Sequence, residues 1–153
     1  MNQVFSLALL VLALITGGVS VSAQESRTAE ILGKYPVEQP RVNSSFIKPG
    51  LVVTTQKQFS EVWKKLKGGD QPKISFDSAF VVLHVRDAAD PNRHRFTARI
   101  RDGELEILAL STRIGFQRSD RTLTTVMEFS REGVEAFREY NPKTRKHVTT
   151  PLK

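Results

Sequence analysis

The sequence predicts an α+β domain: a mainly antiparallel sheet of four to five strands with two helices, in a single domain. Three observations carry this. Residues 55–67 form an amphipathic run with a capping signal. Residues 95–110 alternate in polarity around Asp102-Gly103, as a hairpin does. The β-prone and helical runs follow one another as strand, helix, strand, hairpin, strand, helix. The chain has 153 residues, 39% hydrophobic and 25% charged. That composition is ordinary globular material, and the length suits one domain.

Residues 4–15, VFSLALLVLALI, are followed by small residues ending in Val21-Ser22-Ala23. This reads as a secretory signal peptide, residues 1–23, cleaved after Ala23; the competing reading is an uncleaved anchor, since residues 4–23 could barely span a bilayer. The small side chains of Val21 and Ala23 suit the narrow pockets of a signal peptidase. The expected location is therefore periplasmic or secreted, with no stable membrane span once the segment is removed. Residues 24–45 are polar and aperiodic, with Pro36 and Pro40, and read as a flexible or extended leader. The domain is expected to span 46–153.

Leu51-Val52-Val53 is a short β-prone run. Thr55 and Gln58 then form a capping box. Phe59, Val62, Trp63 and Leu66 fall at i, i+3, i+4 and i+7, one face of a helix over 55–67, and Gly68-Gly69 stops it. Trp63 in that stripe reads as a core anchor. SAFVVLHV at 78–85 is nearly continuous in apolar residues, as suits a central strand buried on both faces. Asp87 to Asn92 is turn chemistry.

From Arg95 to Arg101, Phe96, Ala98 and Ile100 alternate with basic and hydroxyl residues. A two-residue turn at Asp102-Gly103 pairs Arg101 with Glu104, Ile100 with Leu105, Arg99 with Glu106 and Ala98 with Ile107. One hairpin face is then apolar, and the other carries two cross-strand ion pairs. TLTTVMEF at 122–129 reads as another strand. Ser130 is an N-cap for a second short helix, with Val134 and Phe137 inward and Glu135 and Arg138 outward, ended by Asn141-Pro142. His147-Val148-Thr149 offers a last strand.

Chemistry is mostly excluded rather than indicated. The chain has no cysteine, so disulfides, thiolate catalysis, zinc ribbons and iron–sulfur clusters are ruled out. His84, His94 and His147 show no metal-ligand spacing, and no hydrolase, Walker or dinucleotide motif occurs. Asp87, Asp90 and Asn92 lack the pattern of a calcium loop and read as a solvated turn. No metal, cofactor or catalytic residue is expected.

The net charge is +7, and eight of the thirteen arginines lie between Arg86 and Arg121. His84, Arg86, Arg95, Arg99 and Arg101 are read as sharing one basic sheet face. Arg86, Arg95, Arg113, Arg118 and Arg121 lack an acidic partner in this reading and form the candidate binding surface. No aromatic residues interleave with them as stacking readers of nucleic acid require, so nucleic acid is not expected. An anionic glycan or envelope surface, or an acidic exported protein, fits better.

Residues 55–63, TQKQFSEVW, with Ile74-Ser75-Phe76-Asp77 and the strand from Phe80 to Val85, resemble the exported bacterial PrcB-like domains. The likeness is one of packing pattern: a helix opening onto its tryptophan, then an aspartate–phenylalanine step (here in reversed order) into a central strand. Phe96-Thr97-Ala98 stands where those domains often carry a glycine-glycine-aromatic element. The resemblance implies a small α+β module that binds or stabilises another exported protein, with no active site of its own. The expected function is thus a non-catalytic binding module with a basic surface. The alternatives are a small hydrolase using His84 with a nearby aspartate such as Asp87, and a purely structural envelope component.

Overall fold

The computed structural model describes residues 26–48, 50–87, 95–110, 120–141 and 144–152. Among them are nine strands and one α-helix: β1 (Ser26–Thr28), β2 (Ile31–Pro40), a 3-10 turn (Arg41–Ser44), β3 (Val52–Val53), α1 (Gln56–Leu66), β4 (Ala79–Asp87), β5 (Arg95–Arg101), β6 (Glu104–Leu110), β7 (Arg121–Ser130), β8 (Ala136–Asn141) and β9 (Lys146–Pro151). The strands form two sheets. One has five strands in the order β1-β5-β6-β8-β9, the other four in the order β2-β7-β4-β3. The four-stranded sheet is antiparallel throughout; in the five-stranded sheet only β6 and β8 run parallel.

These elements stack as three layers. Ala79, Val81 and Leu83 of β4 with Val126 of β7 meet Phe59, Trp63 and Leu66 of α1 in one core. Phe80, Val82, Met127 and Phe129 point the other way and meet Ala98, Ile100, Leu105 and Phe137 of the five-stranded sheet in a second core. The four-stranded sheet is therefore the middle layer, and β4 is covered on both faces, as its unbroken apolar run requires.

Helix α1 forms as its sequence predicts. Thr55 is the extended N-cap, and its hydroxyl accepts from Gln58 N–H at 3.3 Å. The Gln58 side chain accepts in return from Thr54 N–H at 3.2 Å, one residue before the cap. The helix ends on Lys67, which takes the left-handed conformation (φ 50°) one residue before the expected glycine stop. Gly68 has another role: a Cβ there would lie 2.5 Å from the Trp63 ring. Trp63 is 8% exposed and donates its indole N–H to the Gly69 carbonyl at 2.9 Å.

The hairpin register is as predicted, with Arg101 opposite Glu104, Ile100 opposite Leu105, Arg99 opposite Glu106 and Ala98 opposite Ile107. Asp102 and Gly103 both have positive φ (52° and 75°), as the two-residue turn demands.

Two expectations are corrected, and with them the fold class: the described residues are mostly β, in two sheets, with one α-helix. The second helix, expected between the Ser130 cap and Asn141-Pro142, does not form. Gly133 has φ 67° in the turn after β7, and the Ser130 hydroxyl caps Glu132 N–H at 3.2 Å to close that turn, not a helix. Residues 136–141 then become β8, held by β6 on one side and β9 on the other. Val134 and Phe137 are inward as expected, because an inward pair three apart does not by itself distinguish a helix from a turn leading into a strand.

The second correction concerns residues 24–45, expected as a flexible or extended leader. Residues 26–28 pair with β5, and residues 31–40 pair with β7 over almost the whole length of both strands. In β2, Tyr35, Val37 and Gln39 face the helix layer while Pro36, Glu38 and Pro40 face out. β2 is an edge strand, the place in a sheet where prolines are tolerated.

Candidate functional site

Splitting the strands between two sheets dissolves the single basic face expected from the sequence. Arg86 lies on β4, on the side of Phe80, Val82 and His84 that faces the five-stranded sheet. Arg95, Arg99 and Arg101 lie on the opposite, solvent side of that second sheet, because Phe96, Ala98 and Ile100 take its inner side. Arg121, expected to lack an acidic partner, is ion-paired with Glu38 across β7 and β2 at 2.6 Å. Arg113 and Arg118 lie outside the described residues, as do Asp90, Asn92 and His94.

The structure instead assembles a basic surface on the outer face of the five-stranded sheet. Arg95, Arg99, Arg101 and Arg138 share it with Glu104 and Glu106. Arg99 binds Glu106 through two nitrogens at 2.8 and 2.6 Å. Arg138 reaches Glu104 at 3.2 Å and Glu106 at 3.5 Å. Glu104 thereby turns to β8 and away from its cross-strand neighbour Arg101, whose buried Nε has no hydrogen-bond partner. Burial works against ionisation of Glu106, but the Arg99 hydrogen bond and the charges of Arg99, Arg138 and Arg101 outweigh it and hold the carboxyl below its ordinary value. Arg138 is a member of this surface that the sequence reading placed on a helix. Exposed Leu108 and Tyr140 join the same face, with Tyr140 edge-on to His147 at 5.5 Å between centroids.

A second feature lies between the layers. Two adjoining hollows of about 380 and 270 Å³ share Leu83, His84, Glu139 and Tyr140. One continues to Ile47 and Lys48; the other is lined by Val82, Met127, Ile107, Ala109 and Phe137. His84 meets Phe96 of the facing sheet edge-on at 5.1 Å, so it is the half-buried sheet-face histidine its strand position predicts. The Asp87 side chain, its expected acidic companion, lies outside the described part. The acid that lines the hollows with His84 is Glu139.

Glu139 is on the inner side of β8 and accepts a hydrogen bond from Gly50 N–H, in the turn before β3. Thr150 of β9 donates to the Gly50 carbonyl at 3.1 Å. Gly50 has φ 78°, and a Cβ there would crowd Thr150 and Val148. The two sheets are thus clamped together at this glycine. Burial pushes the Glu139 carboxyl above its ordinary value, against the lowering effect of the Gly50 bond. Nothing in the sequence marked Glu139, since its neighbours in the fold come from a residue far earlier in the chain.

Among the described residues, no group of three His, Cys, Asp or Glu stands together as a metal site would. No helix of the described residues is long and apolar enough to cross a membrane. Comparison with protein-family models, curated proteins and solved structures returns no match.

Proposed function

We propose that the protein is an exported, non-catalytic binding module that contacts an anionic envelope polymer or an acidic protein partner through a basic surface. The observation that carries this reading is the outer face of the five-stranded sheet. Its inner side packs on the middle layer, while its outer side presents four arginines against two glutamates, with Leu108 and Tyr140 exposed among them. A sheet face with surplus cations and a few large apolar side chains suits an extended anionic partner. The net charge of +7 adds long-range attraction, and the signal-like segment 1–23 directs the chain to compartments where such partners occur. The resemblance of residues 55–85 to PrcB-like domains agrees with a module that engages another exported protein.

Retention on immobilised heparin tests the reading. Arg95→Ala with Arg101→Ala removes two cations that hold no ion pair with Glu104 or Glu106. The double variant is expected to elute at lower salt and to bind about fivefold to tenfold more weakly, each exposed charge contributing a fraction of a kcal/mol to about 1. Lys57→Ala with Lys64→Ala on α1 is expected to elute as the parent protein does. Equal elution of the arginine variant and the parent overturns the assignment of this face.

A further inference from the structure

We infer that the gap between β6 and β8 takes an extended segment of an acidic protein partner, added as a strand along the open edge of β6. This rests on the binding-module reading above and names the partner's class and its mode of contact.

The parallel pairing of β6 and β8 covers only Glu104 to Glu106 with Ala136 to Arg138. Both strands then continue, β6 held by β5 as far as Leu110 and β8 held by β9 as far as Asn141. Among the described residues, 107–110 have no partner strand on the β8 side. An open strand edge offers a row of main-chain donors and acceptors to an incoming extended chain.

The side chains around the gap agree with an added strand. By alternation Ile107 and Ala109 point inward, yet Ala109 is exposed, because the gap opens beside it. Behind it lies the hollow of about 270 Å³ floored by Val82, Met127 and Phe137. Leu108 and Tyr140, exposed on the outer side, flank the mouth; they are 41% and 51% accessible. In an added strand, every second side chain would enter the apolar hollow, and the others would face out past these two residues.

Charge selects the partner. By register Arg95 stands beside the end of β6, and Lys146 and His147 stand beside the end of β8. Lys48 lines the adjoining hollow. The one acid in the lining, Glu139, faces inward and is engaged by Gly50 N–H. Acidic side chains on the incoming segment are attracted by exposed Arg95 beside the end of β6 and exposed Lys146 beside the end of β8, whereas a basic segment would be repelled by both. A glycan could use the cations but has no main chain to pair with β6.

Selection from a random peptide library on the whole protein tests this, followed by hydrogen exchange on the complex with the best peptide. The enriched peptides are expected to alternate apolar with acidic residues. Amides of residues 107–110 are expected to exchange at least tenfold more slowly when the peptide is bound. Ala109→Trp, which fills the gap, should weaken the peptide at least tenfold while leaving heparin retention intact. Should that variant not fold, Ala109→Glu, which sets a like charge in the path of the incoming segment on the inner side of β6, carries the comparison. Absence of enrichment, enriched peptides without alternation, or unchanged exchange at 107–110 overturns the inference. Heparin retention in the same preparations separates the two readings: retained heparin binding with a failed selection removes only the strand-addition mode, and loss of both removes the binding-module reading as well.

Discussion

At the scale of single residues, Glu139 links structure to pH. Burial disfavours its charged form, so its folded-state carboxyl titrates above the ordinary value near about 4.3. The native state then holds a proton that the unfolded chain has released. Stability falls as pH rises from the ordinary value to the raised one, and the penalty persists above it. Glu139→Gln keeps an oxygen acceptor for Gly50 N–H and removes the buried charge. It is expected to raise the melting midpoint near neutral pH by about 2 °C or more, with the gain shrinking as the pH is lowered below the ordinary carboxyl value. Melting curves across the acid range check the sign. Trp63 gives a second case: its ring fills the space over Gly68, and its N–H is bonded to Gly69. Trp63→Ala is expected to cost about 3–5 kcal/mol in denaturant unfolding. The core role of Trp63 was legible in the sequence because its spacing with Phe59 and Leu66 is helical. Glu139 was not legible, since neither its burial nor its glycine partner has a local signature.

At the scale of elements, what could be read depended on how local the stabilising interactions are. Helix α1 carries its own cap and apolar stripe, and the β5–β6 hairpin carries its own turn, so both were legible with their register. β2 and β8 were not. β2 is held by pairing with β7, far along the chain, and its two prolines hide an alternation that only an edge position permits. β8 is held by parallel pairing with β6, which no local pattern announces. The turn between β7 and β8 has a further anchor: Arg131 donates to the Ala79 carbonyl at 3.0 Å and to the Thr54 carbonyl at 2.8 Å. It ties that turn to β4 and to the entrance of α1. Arg131→Ala leaves part-buried carbonyls unsatisfied and is expected to lower stability by roughly 2 kcal/mol in denaturant unfolding.

The ion ladder on the hairpin supplies the opposite pH sign to Glu139. The arginines hold Glu106 below its ordinary carboxyl value, so its contribution is present above that value and is lost as pH falls through the depressed one. Glu106→Gln is expected to cost about 1 kcal/mol at neutral pH, with the difference from the parent vanishing in acid. Unfolding at pH 7 and at pH 2 distinguishes this from a packing effect, which would persist.

At the scale of the whole molecule, the division into two sheets decides where the charge goes. The sequence identified a basic hairpin face and its apolar reverse, and both are present. It could not show that β4 and β5 belong to different layers, which separates Arg86 from Arg95 and gives Arg121 the company of Glu38. What remains on one surface is Arg95, Arg99, Arg101 and Arg138, brought together by pairings within one sheet. Attraction to an anionic partner there should weaken with salt, as screening shortens the reach of exposed charges to about 8 Å at physiological ionic strength.

The outer face of the five-stranded sheet is the proposed contact surface. Amide chemical-shift mapping with a heparin oligosaccharide tests it most directly. The largest shifts are expected on β5, β6 and β8, around Arg95, Arg101, Leu108 and Tyr140, fading as salt is added. Shifts centred on the lysines of α1, or spread evenly over the molecule, would contradict it.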